Sequence, residues 1–369
     1  MSIITEGSCK IKVELPPKDV HAQMEVFYNP VMASNRNIAI LLLNSVENEQ
    51  MNIASPLAGS GIRELRFLKE LKPGKIQNIF VNDIKENFPR VLAENLKLNS
   101  LKKDKLIIHN DDANLFLLNQ VKHCKEGKFC GYFDYIDIDP FGSPNPFLAS
   151  AVARITREGI IAVTATDTAA LTGTYPKVTK RKYWAKAVRS YMMHEIGLRI
   201  LIRKVQLQGV QFDKALIPML AYHKDHYFRI YFRCVKGKEK CDEVLKEHRY
   251  LLFNPKSLEF TVSEFNQKKG FEYFGPLWAG KLMDRKLITR MTTENPFPEE
   301  QKFLDLLLEE SKLDMVGFYD LHVVAKKYGL ETTKIGPVMR KVKGVRTHFS
   351  PTGIKTEKSI KEIVKAMRN

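Results

Sequence analysis

Several features are missing from this chain, and each absence excludes something. No stretch of the 369 residues approaches 18 uninterrupted apolar positions, which leaves no candidate membrane-spanning helix. The opening stretch, MSIITEGSCKIKVELPPKD, lacks the apolar run of a secretory signal, so the expected compartment is the cytoplasm. Cysteine is scarce. The five residues Cys9, Cys124, Cys130, Cys234 and Cys241 form no CxxC pair, and their odd number argues against a disulfide framework. Cys124 and Cys130 stand six apart with His123 beside the first, but the second half of a zinc site is missing, so no metal is expected. Acidic residues are thin in two segments. Residues 171–240 hold 16 Lys/Arg against four Asp/Glu, and residues 334–369 hold ten against two, while the whole chain carries +17. Two basic regions on an otherwise near-neutral chain point to a polyanion held at two places.

What is present is an alternation of short apolar runs and amphipathic segments. Strands are expected at 51–57 (MNIASPL), 76–83 (IQNIFVND), 105–112 (KLIIHNDD), 131–140 (GYFDYIDIDP) and 159–166 (GIIAVTAT). Helical patterns lie between them, as in FPRVLAENLKLN at 88–99. Such alternation builds right-handed βαβ units around a parallel sheet. Residues 215–235 read as a hairpin at the sheet edge. Beyond about residue 241 the texture changes. Helices are expected at 301–312, 318–328 and 334–343, followed by VRTHFSPTGIKT as a basic wing. The fold class read from this is α/β: a Rossmann-like domain over 1–240, then a smaller mixed α/β domain over 241–369 with a winged-helix-like end.

In doubly wound sheets ligands bind outside the carboxyl ends of the strands, so strand-end residues carry the functional signal. After the first strand, Gly59 and Gly61 permit close backbone approach and open a helix. The second strand ends in Asp83, 22 residues beyond Gly61, where an acid accepts from ribose hydroxyls. The third ends in Asp111, Asp112 and Ala113, one acid suited to an adenine amino group and the other to capping the next helix. Together these assemble an adenosine-like cofactor site. NAD is disfavoured because Glu64 stands where the last small residue of GxGxxG belongs, and no Walker lysine motif is present.

The fourth strand ends in Asp139-Pro140-Phe141-Gly142, inside YIDIDPFGSPNPF. Buried carboxylates need partners. An acid, a rigid proline and an aromatic at that place fit methylation of an exocyclic amine on a base. The amine's lone pair is delocalised into the ring, and acceptors on its N–H groups help localise it. Those hydrogen bonds strengthen as positive charge grows on nitrogen, so they stabilise the transition state. Phe141 would stack on the base, worth about 1–3 kcal/mol.

On the blocks VFYNPVMASNRNIAILLLN, AGSGIRELRF, IDIDPFGSPNPFL, TATDTAALTG, HKDHYFRIYFR and GPLWAG, the chain resembles the tRNA (guanine-26-N2)-dimethyltransferase family over nearly its whole length. The resemblance implies S-adenosylmethionine (S-adenosyl-L-methionine) as methyl donor, tRNA as substrate and N2,N2-dimethylguanosine as product. It implies Arg36 and Arg66 near the methionine carboxylate, Asp83 on the ribose, and Asp111, Asp112 and Ala113 around the adenine. It sets Asp139, Pro140 and Phe141 as the catalytic tetrapeptide's key members, and Phe27 as a second face for the guanine. Two departures stand out. Ser55 lies near the place of the first-strand acid common in methyltransferases, and only Cys234 and Cys241 remain of the zinc module many relatives carry. The basic C-terminal segment, with Lys341, Lys343 and Arg346, is expected to meet phosphates. Two other functions fit parts of the pattern: a DNA adenine-N6 methyltransferase, using the same acid-proline-aromatic device, and a winged-helix regulator without catalysis.

Overall fold

Apolar runs of five to seven residues, too short for helices, collect into a sheet covered on both faces. The computed structural model describes residues 2–13, 28–120 and 130–368. Phe27, His123 and Cys124 lie outside them. A hairpin, β1 (Ser2–Glu6) and β2 (Cys9–Val13), comes first. Then α1 (Ala33–Ser45), β3 (Met51–Ser55), α2 (Ile62–Glu70), β4 (Ile76–Asn82), α3 (Phe88–Leu98), β5 (Leu106–His109), α4 (Ala113–Asn119), β6 (Phe133–Ile138), α5 (Leu148–Arg154) and β7 (Ile155–Ala165) alternate. Next come α6 (Thr168–Leu171), α7 (Pro176–Tyr183), α8 (Met193–Val210), β8 (Lys214–Lys224), β9 (Tyr227–Lys236) and α9 (Lys238–Lys246). The rest is β10 (His248–Phe253), β11 (Phe260–Ser263), β12 (Glu272–Trp278), α10 (Arg285–Thr293), α11 (Gln301–Glu310), β13 (Tyr319–Asp320), α12 (Leu321–Tyr328), α13 (Ile335–Val342), β14 (Val345–Arg346), β15 (Gly353–Lys355) and α14 (Ile360–Arg368).

The main sheet has the order β5-β4-β3-β6-β7-β9-β8. Strands β3 to β7 run parallel. The two-residue link Asp225-His226 makes β8 and β9 antiparallel neighbours at the edge, the hairpin the sequence led us to expect. Each expected parallel strand is present, and all five end earlier than their apolar pattern. Pro56, Asp83, Asp111 and Asp139 have left the ladder and belong to the loops beyond it. The strand order reverses between β3 and β6, so the loops after these strands flank the topological switch point, where α/β sheets bind ligands.

By compactness the chain divides into two units. One comprises Met1–Ala165, Tyr231–Lys236 and Thr293–Glu300; the other comprises Thr166–Ile230, Gly237–Thr292 and Gln301–Asn369. No single cut at residue 240 produces them. In the first unit α1 is buried on nearly every side, as its run of apolar residues requires. Its polar start is tied down by the last segment of that unit. Ser34 Oγ donates to Glu300 at 2.8 Å, and Asn37 Nδ2 donates to Glu299 and Glu300 at 3.0 and 3.1 Å.

In the second unit α8 packs against β8 and β12. Near its end α12 and α13 are followed by β14 and β15, which pair with β13 from before α12 into a small antiparallel sheet β13-β15-β14, the expected helix-turn-helix with a wing. A buried ionic cluster anchors that wing. Lys355 Nζ contacts Glu195 and Glu310 at 3.1 and 3.3 Å, and His348 Nδ1 lies 2.6 Å from Glu310. Burial opposes the charge on both glutamates. The cations outweigh it: mainly Lys355 and Arg199 for Glu195, and His348 and Lys355 for Glu310, holding both carboxyls below their ordinary range. Among the described residues no helix is long and apolar enough to cross a membrane.

Candidate active site

The loop after β3 is shaped by glycine. Gly61 caps α2 with φ +76°, and a Cβ there would come within 2.6 Å of Leu92 Cδ1. Gly59 also takes positive φ, and its N–H donates to Asp83 Oδ2 at 2.7 Å. Asp83 Oδ1 accepts the N–H of Lys85 at 3.1 Å. Asp83 therefore does not cap α3, whose N-cap is Asn87. Its carboxylate is held beside the glycine loop instead. The two acids after β5 divide as their chemistry allows. Asp112 caps α4, accepting from Asn114 and Leu115 N–H at 2.9 and 3.1 Å, while Asp111 is exposed. Ala113 is buried as the first residue of that helix. Asn82 ties the ends of β3 and β5 together, donating to Pro56 and Asp111 carbonyls at 3.0 and 2.9 Å.

Arg36 and Arg66 converge on one carboxylate of the chain itself. Arg36 Nε and Nη2 donate to Glu6 at 2.6 and 2.5 Å, and Arg66 Nη1 donates to Glu6 at 2.9 Å. Arg66 also grips Glu70 at 2.7 Å, and Tyr28 donates its hydroxyl to Glu6 at 2.9 Å. Burial raises the Glu6 carboxyl, but the two arginines outweigh it and hold it below its ordinary value. Burial and the Glu6 charge push Tyr28 up to about 12. Neither residue-type pattern nor spacing signals Glu6 as a partner, since it lies 30 and 60 residues from the two arginines.

At the end of β6, Pro140 is buried and Asp139 half-buried, whereas Phe141 is 51 % exposed. A phenylalanine packed into the core would be covered; this residue is half exposed. Arg63, which the sequence reading passed over, contacts both aspartates of the strand. Its Nη1 lies 3.3 Å from Asp137, and its Nη2 pairs with Asp139. The signal for it was the pair of carboxylates itself, which needed a cation from a neighbouring element. Next to it in sequence, Glu64 is 1 % exposed, and neither of its oxygens has a well-formed hydrogen bond. Burial pushes its carboxyl up to about 7, with the nearby Ser55 hydroxyl and Arg63 opposing the shift.

Two features fit an adenosine-type methyl donor: the glycine cradle and a carboxylate fixed by that cradle's N–H. Arg36 and Arg66 are buried and already paired with Glu6 and Glu70. Among the described residues no cluster of His, Cys, Asp and Glu is placed to hold a metal ion. Lys341 and Lys343 are exposed around the end of α13, and Arg346 donates to the Pro351 carbonyl at 3.0 Å.

Fold and site together define a Rossmann-like S-adenosylmethionine-dependent methyltransferase. The profile of the family described as N2,N2-dimethylguanosine tRNA methyltransferase matches residues 7–368, and the chain belongs to that family. It is 39 % identical to a tRNA (guanine(26)-N(2)/guanine(27)-N(2))-dimethyltransferase of Aquifex aeolicus, covering all of this chain and 96 % of that one. It is 36 % identical to a tRNA (guanine(26)-N(2))-dimethyltransferase of Pyrococcus furiosus, covering 97 % of each. The solved complex of Trm1 from Pyrococcus horikoshii with S-adenosyl-L-methionine superposes with a TM-score of 0.87, at 32 % identity and full coverage of both chains.

Proposed function

We propose that this enzyme transfers two methyl groups to the exocyclic N2 of guanine 26 of tRNA in the cytoplasm, through the residues at the ends of β3 to β6. S-adenosylmethionine supplies an electrophilic methyl group on sulfur. Asp83 accepts from its ribose, Asp111 from the adenine amino group, and Gly59 and Gly61 give the backbone close approach, with Asp112 and Ala113 forming the adenine wall. Arg36 and Arg66 receive the methionine carboxylate in exchange for Glu6, which must release them when the donor binds.

Asp139 and the Pro140 carbonyl accept the two N–H groups of the guanine amine, and Phe141 stacks on the base. The amine's lone pair then forms the new N–C bond as the C–S bond breaks, its electrons staying on sulfur. The nitrogen afterwards sheds a proton, with Asp139 the nearest acceptor. The monomethyl product keeps one N–H and can repeat the step. Because guanine 26 lies within folded RNA, the base must leave its stack, and stacking on Phe141 offsets that cost. Phe27 is the candidate second face.

The observation that carries this reading is the exposed Phe141 beside the carboxylate at the end of β6. RNA is gripped by Lys341, Lys343 and Arg346 and by α7, where Lys177, Lys180, Arg181 and Lys182 are exposed between the exposed rings of Tyr175 and Trp184. Such alternation of cations and rings suits phosphates and unstacked bases. Family membership argues against the DNA adenine methyltransferase and the non-catalytic regulator. The test is incubation with labelled S-adenosylmethionine and unmodified tRNA, then nucleoside analysis. Dimethylguanosine at position 26 is expected; no label in tRNA, with label on adenine of duplex DNA supplied in a parallel reaction, would refute the reading.

A further inference from the structure

Two carboxylates, of Asp137 in β6 and of Asp139 just beyond its end, both turn toward Arg63 of α2. Left alone they would repel each other in a poorly solvated place. Arg63, the second residue of α2, lays its guanidinium across them. Nη1 faces Asp137 at 3.3 Å, Nη2 pairs with Asp139 Oδ2, and Nη2 also donates to Asn35 Oδ1 at 3.0 Å. Asp137 additionally accepts the Tyr135 hydroxyl at 2.6 Å, and Asn35 donates to Thr164 at 3.4 Å. Arg63 is itself buried. Its planar fork is thus fixed by groups from α1 and β6, and a lysine ammonium could not span the same set. One oxygen of Asp139 is committed to this fork. The other, Oδ1, has no protein donor among the described residues and is the one left to meet a substrate.

We propose that Arg63 is a positioning residue for methyl transfer: by holding Asp139 Oδ2 it fixes the rotamer in which Oδ1 receives the guanine N–H. This rests on the function proposed above. A carboxylate acceptor aids transfer only while its lone pair stays aligned with the amine, and a displacement of about 1 Å costs on the order of 100-fold. Because α2 begins in the glycine loop that flanks the cofactor site, Arg63 also fixes the acceptor relative to that loop.

The experiment uses the full-length enzyme with unmodified tRNA. Substituting Arg63→Met leaves Asp137 buried without its cation, so Arg63→Met/Asp137→Asn is made alongside it to relieve that charge. We expect kcat for dimethylguanosine formation to fall about 100-fold in both variants. The KM for S-adenosylmethionine and its affinity by calorimetry should stay within threefold. Arg63→Lys should recover only part of the loss. In a double-mutant cycle Arg63→Met should cost nothing further once Asp139→Ala is present, because its effect is routed through that carboxylate. Near-normal kcat in the folded Arg63→Met/Asp137→Asn variant, or full additivity in the cycle, would overturn the proposal. Failure of the unaltered enzyme to methylate tRNA would instead refute the function on which it rests.

Discussion

Glu64 offers a test of the site's electrostatics that needs no substrate. Its carboxyl is fully buried, faces Ser55, Arg63 and Asp137, and is pushed from 4.5 to about 7. A carboxyl raised by folding binds its proton more tightly in the folded state. Between pH 4.5 and 7 the folded chain therefore carries more protons than the unfolded one, and stability falls as pH rises through that window. The shift of about 2.5 units, at about 1.36 kcal/mol per unit, amounts to about 3 kcal/mol. Glu64→Gln removes the titration but keeps the shape. The amide adds a cost of its own, about 1–3 kcal/mol for imperfect hydrogen bonding, and that cost does not change with pH. The difference between variant and parent should therefore move by about 3 kcal/mol in favour of the glutamine from pH 4 to pH 8.5. Paired chemical denaturation of both proteins across that range measures it. A difference that stays flat with pH would show that Glu64 is not a neutral carboxyl in the fold, and the reasoning from its burial would fail.

Other outcomes follow from the same geometry. Asp139→Ala should lower kcat for dimethylation by about 1000-fold, to a small but measurable rate, and leave S-adenosylmethionine affinity within a few fold, whereas Asp83→Ala should lose about 1.5–3 kcal/mol of that affinity by calorimetry; the reverse pattern would exchange their roles. Neutralising Lys341, Lys343 and Arg346 together should weaken tRNA binding and flatten its salt dependence by up to about 0.9 log units per lost phosphate contact, taking duplex DNA as an upper guide. If the slope is unchanged while a triple Lys180, Arg181 and Lys182 variant lowers it, α7 alone grips the RNA. Lys355→Met leaves Glu195 with Arg199 as its remaining cation and Glu310 with His348 as its own, and should destabilise the chain by up to about 3 kcal/mol, read as a lowered melting temperature.

The parallel sheet was legible because buried strands write themselves as short apolar runs separated by glycine, asparagine and aspartate. That Asp83, Asp111, Asp112 and Asp139 follow strand ends was legible because the apolar runs stop at them. What stayed hidden depends on which charges turn inward. The local count of ten cations in 334–369 includes Lys355, yet that side chain is buried against two glutamates and cannot serve a phosphate. Arg36 and Arg66 could be chosen as carboxylate ligands, but not as already holding Glu6, since nothing local links the hairpin to α1 and α2. Arg63 was hidden for a related reason: periodicity says that α2 is amphipathic, not which arginine reaches across to β6. The division into units was illegible too, because it rests on contacts far apart in the chain.

The clasp of Glu299 and Glu300 on the start of α1 has a consequence for how the protein is made. Ser34 and Asn37 leave the ribosome early, but their partner at Glu300 follows 266 and 263 residues later. At translation rates of about 5–20 residues per second that interval is roughly 13–50 s. For this period the nascent half carries the arginines and the glycine loop without the segment that closes over α1, including Phe297, whose ring lies 5.4 Å from Arg66. The first unit cannot make these contacts as an autonomous N-terminal piece. Its completion waits for residues emitted after most of the second unit.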